Sequence, residues 1–152
     1  MEKNEQTPLT RSLILLLSIT CGVVVANMYY IQPIGTKVAT SLSVSTSAVG
    51  ILTMLTQLGY ALGLLFLVPL GDVVDRPKLI IRMAALSAIS LLAAFFAPSF
   101  TLFACASFLI GLLSIVPQII IPYGAVLAGP KARGKVMGTL LSGLLVGILL
   151  SR

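Results

Sequence analysis

The chain has 152 residues, of which 58% are hydrophobic and only 9% are charged. A soluble domain carries about 25% charged residues, so this composition is too poor in charge to cover a water-facing surface. The net charge of +6 comes from basic residues placed between apolar runs, which indicates orientation in a membrane rather than a nucleic-acid partner. The sequence contains no His, and its cysteines and acids do not stand at metal-ligand spacing, so we predict no metal and no other cofactor.

Five apolar segments follow one another along the chain, at residues 12–34, 49–70, 79–97, 102–128 and 135–151. A helix that crosses a bilayer needs about 20 residues, and these runs are close to that length. Helices are predicted rather than open strands because lipid leaves an unpaired backbone amide without a partner. Gly129 and Pro130 end the fourth segment in the Gly-then-Pro order typical of helix stops. The sequence therefore predicts an all-α membrane protein with five transmembrane helices, preceded by a polar arm over residues 1–11.

The basic residues predict which way the helices run. If the N-terminus lies in the cytoplasm, most of them fall on the cytoplasmic side, in agreement with the positive-inside rule: Lys3, Arg11, Arg76, Lys78, Arg82, Lys131, Arg133 and Lys135. Only Lys37 and Arg152 then fall on the outer side. We therefore predict a cytoplasmic N-terminus.

The most specific local pattern is the connection between the second and third segments, residues 71–78, with the sequence GDVVDRPK. A glycine such as Gly71 permits close approach of a neighbouring helix. Asp75 can accept hydrogen bonds from amides at a helix N-terminus and oppose the helix dipole, and Arg76 or Lys78 can pair with it. Such contacts can form in one conformational state and break in another. The alternative is a solvated charged loop that follows the positive-inside rule.

This connection resembles the signature loop of the major facilitator superfamily, with Gly71, Asp75 and Arg76 at matching positions and Lys78 as a further base. The later glycine of the family pattern is absent. Other segments are similar to drug and sugar exporters of the arabinose-efflux-permease-like group: residues 27–33, 117–123, 133–138 and 142–147. The resemblance covers the chain after about Arg11. Many members carry an arginine for proton coupling where this chain has Ser107.

The resemblance implies the N-terminal six-helix bundle of a twelve-helix transporter in the bacterial inner membrane. Substrate would lie at the midplane between two halves, with access alternating by rocking. The implied activity is secondary, ion-coupled efflux of a small organic solute such as a drug or a sugar, with the signature loop involved in conformational switching. An enzyme is not predicted, because the apolar segments contain no His, Asp or Glu to carry acid–base chemistry.

The resemblance also places the first and fourth helices along the substrate cavity, which makes their polar residues candidates for lining it. Asn27 and Tyr30 are three residues apart and share a helix face, and Ser114 and Gln118 are four apart and share another. Polar side chains in lipid are costly unless they face a cavity or a partner helix. The alternatives are hydrogen bonding between helices for Asn27 and Gln118, and an interfacial aromatic position for Tyr30.

Small residues at helical spacing predict close packing between helices. They are Gly59 and Gly63 in the second segment, and Gly138, Gly143 and Gly147 in the fifth. The cysteines, Cys21 and Cys105, lie inside apolar segments, so we predict small buried residues and no disulfide.

Five helices fall short of a six-helix half, and the sequence ends within the glycine-rich part of the last one. We therefore expect a truncated product that is inactive alone, whose partners are the lipid bilayer, a small-molecule substrate and the missing C-terminal half of the transporter. The alternative is a short membrane protein that self-associates, or that binds and regulates a full transporter.

Overall fold

A computed structural model describes residues 9–152. Every regular element in this range is a helix: α1 (Arg11–Ala26), α2 (Ile31–Ser41), α3 (Thr46–Val73), α4 (Arg76–Phe95), α5 (Phe100–Leu113) and α6 (Val116–Leu150). The all-α prediction is confirmed. The predicted arm over residues 1–11, with Lys3, lies for the most part outside the described residues.

The first pass through the bundle is a bent pair, α1 and α2, whose axes meet at 41°. Pro33 lies in the first turn of α2 and has no N–H to donate to the carbonyl of Tyr29, four residues earlier. The break at residues 27–30 is closed by tighter turns, such as the 2.9 Å bond from the Tyr29 amide to the Ala26 carbonyl. The helix predicted over residues 12–34 is thus interrupted, and its second part continues to Ser41.

A second proline separates α5 from α6. Pro117 lies in the first turn of α6 and offers no N–H to the carbonyl of Leu113, the last residue of α5. The intervening Ser114 and Ile115 have near-helical φ/ψ angles. The chain therefore continues past them in a single pass.

Helix α6 reverses direction at Gly129, which has φ 68° and ψ 174°. An L side chain is strained at this positive φ, and Pro130 cannot continue the preceding hydrogen-bond pattern. A methyl group added at Gly124 would lie 2.7 Å from the side chain of Leu140, although a straight helix would hold these residues about 24 Å apart. The two arms of α6 therefore pack against each other, and the predicted Gly-then-Pro stop is confirmed.

Three described stretches are long and apolar enough to cross a bilayer: Ser47–Val73, Arg76–Phe95 and Phe100–Leu150. The bent pair of α1 and α2 adds a fourth. The last stretch has 51 residues, more than twice the roughly 20 that one crossing needs, and it doubles back at Gly129. The described residues therefore make five passes.

Glycines bring α1 against the second arm of α6. A methyl group at Gly22 would lie 2.6 Å from the carbonyl oxygen of Gly143 and 3.6 Å from the Cα of Gly147. The hydroxyl of Ser18 also crosses this contact and donates to the carbonyl of Thr139 at 2.9 Å. We call this contact the α1/α6 seam. At Gly22, Gly143 and Gly147 the backbones approach so closely that an added Cβ would clash.

A second glycine contact joins α3 to α5. A methyl group at Gly59 would lie 2.9 Å from the amide nitrogen of Leu112, and one at Gly63 would lie 2.5 Å from the carbonyl oxygen of the same residue. Gly111 of α5 lies against the backbone of Thr56 in α3. We call this contact the α3/α5 seam. The two seams hold four of the five passes together near the middle of the bundle.

The buried core joins α1, α4 and the α5–α6 hairpin, with Leu17, Met83, Ile120 and Leu140 among its members. Cys21 is fully buried in this core, as predicted. Cys105 is exposed, so the prediction of its burial is wrong. An apolar run alone does not tell which helix face meets protein and which meets lipid.

Candidate functional site

The signature loop joins the end of α3 to the start of α4 and is held by ion pairs. The Arg76 guanidinium donates from Nη2 to the Asp72 carboxylate at 2.8 Å, and from Nε to the carbonyl of Gly71 at 2.9 Å. Sequence reasoning named Asp75 as the acid of this loop and missed Asp72. The i, i+4 spacing of Asp72 and Arg76 was the available signal.

Asp75 has a different role, as the N-cap of α4. Its carboxylate accepts from the Lys78 amide at 3.5 Å and lies 3.1 Å from the Lys78 ammonium. The side-chain hydrogen bond from Lys78 lowers the pKa of Asp75 below its ordinary value. The carboxylate is therefore charged at neutral pH, and it pairs with one amide of the first turn of α4, that of Lys78.

Gly71 is buried, but its surroundings differ from the expected close helix approach. A methyl group there would lie 3.5 Å from the Ile119 side chain and 3.7 Å from that of Leu79, which are ordinary contact distances. The carbonyl of Gly71, as acceptor for Arg76, contributes more to the loop than the missing side chain does.

Most cations of the described residues lie at the end of the bundle that holds the signature loop, at the start of α1 and α4 and around Gly129: Arg11, Arg76, Lys78, Arg82, Lys131, Arg133 and Lys135. Lys37 in α2 and Arg152 after α6 lie at the opposite end. The Arg152 guanidinium carbon lies 5.6 Å from the ring centroid of Tyr29, in a cation–π arrangement. The charge is thus strongly unequal between the two ends.

The opposite end contains a half-open cavity of about 590 Å³, a size typical of small-molecule sites. Its walls come from residues 27–42, from Thr56 of α3, from the end of α4, and from α5. Apolar side chains form most of its lining, including Ile31, Ile34, Val38, Leu91, Phe95, Phe103 and Ile110. The polar groups are few: Asn27, Tyr30, Lys37, Ser41, Thr56 and Ser107.

Two of the predicted cavity residues, Asn27 and Tyr30, line this cavity. Asn27 is half-buried, and its Nδ2 donates to the Ser87 hydroxyl of α4 at 3.4 Å. Tyr30 is 43% exposed. Both residues lie in the break between α1 and α2, before Pro33.

The other two predicted residues lie elsewhere. Ser114 is buried, and its hydroxyl donates to the Ile110 carbonyl at 2.6 Å. Gln118 donates from Nε2 to the Tyr60 hydroxyl of α3 at 3.0 Å. Neither lines the cavity, and Gln118 has the interhelical hydrogen bond of the alternative interpretation. Spacing shows which residues share a helix face, but it does not show how each helix is rotated in the bundle. That rotation determines that Asn27 and Tyr30 line the cavity and that Ser114 and Gln118 do not.

Four of the five predicted packing glycines lie in the two seams, namely Gly59, Gly63, Gly143 and Gly147. Gly138 has no atom within 4 Å of an added methyl group among the described residues. Its packing role stays a prediction. No three His, Cys, Asp or Glu side chains of residues 9–152 come together in a group suited to a metal ion.

Sequence reasoning missed Lys37 and Thr56 as cavity residues and treated Ser107 only as a departure from the family pattern. Lys37 follows Ile34 by three residues, so both fall on one face of α2. The stripe formed with Ser41 was therefore visible in the sequence. Thr56 and Ser107 face the cavity because of how α3 and α5 pack, which single-helix patterns do not reveal.

Comparison with known proteins gives a match between residues 16–152 and the family model described as Major Facilitator Superfamily. The uncharacterized transporter YgaY of Escherichia coli O157:H7 is 47% identical over 144 residues, which cover 95% of this chain and 36% of that protein. A Streptomyces coelicolor protein named as a probable transporter is 31% identical over 137 residues, covering 90% of this chain and 32% of that protein. No solved structure gives a significant match. The chain spans about a third of the length of these curated relatives.

Proposed function

The chain belongs to the major facilitator superfamily, and on that premise we propose that its helices form part of a secondary transporter that moves a small organic solute. Its apolar passes and its bacterial relatives make it a multi-pass inner membrane protein. The observation that carries the proposal is the family match over residues 16–152. The cavity between α2, α4 and α5 supports it, because its volume of about 590 Å³ is typical of small-molecule sites.

The direction and energy source are proposed from resemblance. The segment at residues 27–33 is similar to exporters of drugs and sugars, which favours efflux. Ion coupling is proposed from the general behaviour of the family. No residue of this chain supports it directly, because Ser107 stands where many members carry the arginine used in proton coupling. The N-terminus is proposed to lie in the cytoplasm, because the end of the bundle that bears the signature loop carries most of the described cations.

Transport is proposed for these helices together with a second bundle, because the matched relatives are about three times as long as this chain. That second bundle would complete the substrate site and rock against the first. A short membrane protein that self-associates, or that regulates a full transporter, is the competing hypothesis. This hypothesis is favoured by glycines of the fifth pass that lie outside the α1/α6 seam, such as Gly138. No described atom packs against Gly138, so another helix could pack there.

The signature loop is proposed to take part in switching between the conformational states of alternating access. The substitution Asp75→Asn, made in the native gene, tests this role in the same assay as transport. Inverted vesicles from expressing cells should accumulate at least one labelled drug or sugar above vesicles from cells with empty vector. Asp75→Asn should slow this accumulation by about two- to fivefold, because Asn can still cap α4 but lacks the charge that pairs with Lys78 and opposes the helix dipole. The amount of protein in the membrane should not change.

Lys135→Gln serves as the matched control, since it alters a charge at the same end of the bundle but outside the loop. If vesicles with Asp75→Asn accumulate the solute at the wild-type rate, the proposed role of the signature loop in switching is contradicted. If wild-type vesicles accumulate no solute from a broad panel, while the chain co-purifies with a larger transporter, the regulatory alternative is the better account.

A further inference from the structure

Lys37 gives the cavity an unbalanced positive charge. It lies in the middle of α2 and lines the cavity along the same face as Ile34 and Ser41. The side-chain carboxylates of residues 9–152, Asp72 and Asp75, are both at the opposite end, in ion pairs with Arg76 and Lys78. No described Asp or Glu side chain therefore balances the Lys37 ammonium.

The rest of the cavity fits an apolar body. Ile31, Leu91, Phe95 and Phe103 supply aliphatic and aromatic surface, and the neutral polar groups are hydroxyls and one amide. Such a lining favours a ligand with rings or alkyl groups, and the few polar groups determine its orientation. A neutral sugar would leave many hydroxyls facing apolar walls, which is unfavourable without hydrogen-bond partners.

We infer that the cavity binds an amphiphilic organic anion, with Lys37 as the counter-ion of its carboxylate or sulfonate and the apolar wall around its hydrophobic body. This inference rests on the proposed function and narrows its substrate class. A second source of the same chemistry is an anionic lipid, whose phosphate and acyl chains are also amphiphilic. The solute is favoured because the cavity volume of about 590 Å³ lies within the range of small-molecule sites.

The test compares two probes that share one fluorophore. Dansylglycine carries a carboxylate and dansylamide carries none, and both are titrated into the 152-residue chain in phosphatidylcholine nanodiscs, with empty nanodiscs subtracted. The chain should bind dansylglycine about fivefold or more tightly than dansylamide, the ratio expected of one partly solvated charge pair. Lys37→Gln should abolish this preference and leave dansylamide binding unchanged, and Lys37→Arg should retain it.

Arg152→Gln is the matched control, because it removes a cation at the same end of the bundle from outside the cavity lining. Circular dichroism and gel filtration establish that each variant is folded. Equal affinity for the two probes in the wild-type chain, or an equal loss in Lys37→Gln and Arg152→Gln, would overturn the inference. So would the absence of binding above empty nanodiscs.

Nanodiscs with added phosphatidylglycerol distinguish the two ligand sources. If phosphatidylglycerol leaves the dansylglycine affinity unchanged, the result supports a solute as the ligand. If phosphatidylglycerol displaces dansylglycine from the wild-type chain but not from Lys37→Gln, the site binds a lipid and the solute assignment is overturned. Failure of this inference is separable from failure of the proposed function. If the chain prefers the anionic probe but the native gene product transports no solute, only the transport proposal is contradicted. If the product transports solute but the chain binds both probes equally, only the anion inference is contradicted.

Discussion

The two ends of the bundle are stabilised in different ways. At one end a short connection joins α3 to α4, and Arg76 donates hydrogen bonds to the Asp72 carboxylate and the Gly71 carbonyl within it. At the other end α2 lies across a cavity of about 590 Å³ from α4 and α5. Between the ends, glycines bring the backbones into contact.

The difference shows how side-chain size controls where membrane helices meet. At the seams, residues without a Cβ allow backbone contact. At the cavity, bulky residues such as Tyr30, Phe95 and Phe103 line the walls between α2 and the α4–α5 pair. Closed and open regions therefore follow from where small and large residues fall along each pass, in a lipid environment where hydrophobicity does not distinguish one helix contact from another.

The largest effect is expected where the seam is tightest. Gly111→Ala places a methyl group against the Thr56 backbone, so α3 and α5 must separate, at a cost of about 3 kcal/mol or more. Unfolding in a dodecyl sulfate titration, followed by circular dichroism, measures this loss. Gly138→Ala is the control, since a methyl group there meets nothing within 4 Å, and it should be neutral or slightly stabilising. Equal stability of the two variants would contradict the seam account.

Filling the cavity should affect binding rather than folding. Ile34→Trp adds bulk to a cavity-lining position that is 43% exposed, and it should weaken binding of either dansyl probe about tenfold or more, because the space is occupied. Ile19→Trp is the matched control at an exposed position outside the lining. Nanodisc titration measures both. Unaltered probe binding by Ile34→Trp would show that the probes bind elsewhere.

The smallest effect concerns the hydrogen bond across the α1/α6 seam. Ser18→Ala removes the 2.9 Å bond to the Thr139 carbonyl, and bonds of this kind between membrane helices are worth about 0.6 kcal/mol. Ser142→Ala removes only a bond to the Gly138 carbonyl within its own helix, so its stability should stay closer to wild type. The same dodecyl sulfate titration compares the two. A larger loss from Ser142→Ala would contradict the assignment of Ser18 to the seam.

The passes could be predicted from the sequence because bilayer thickness limits the length of each apolar run. The stop at Gly129 and Pro130 was equally readable, since positive φ and a missing N–H are properties of those residues. Pro33 and Pro117 carried the same kind of signal for the two helix breaks. Those breaks were missed because the apolar runs continue through them.

The cavity was less accessible to prediction because it depends on how helices rotate against one another. Ser114 and Gln118 share a face by spacing, yet their hydrogen bonds are made to Ile110 and Tyr60. The Gln118–Tyr60 bond joins α6 to α3, and no single segment encodes it. The pairing of Arg76 with Asp72 is instead an i, i+4 contact, which the spacing of the two residues did signal.

The most direct test of the central claim is water access to the cavity wall. Ser107 and Ser90 are both 5% exposed, and both hydroxyls bond within their own helix, but only Ser107 lines the cavity. In a background of Cys21→Ala and Cys105→Ala, Ser107→Cys should react with a water-soluble thiosulfonate on the order of tenfold faster than Ser90→Cys, because only the cavity admits the reagent. Equal rates at the two positions, or no reaction at Ser107→Cys, would contradict the water-accessible cavity that supports the transport proposal.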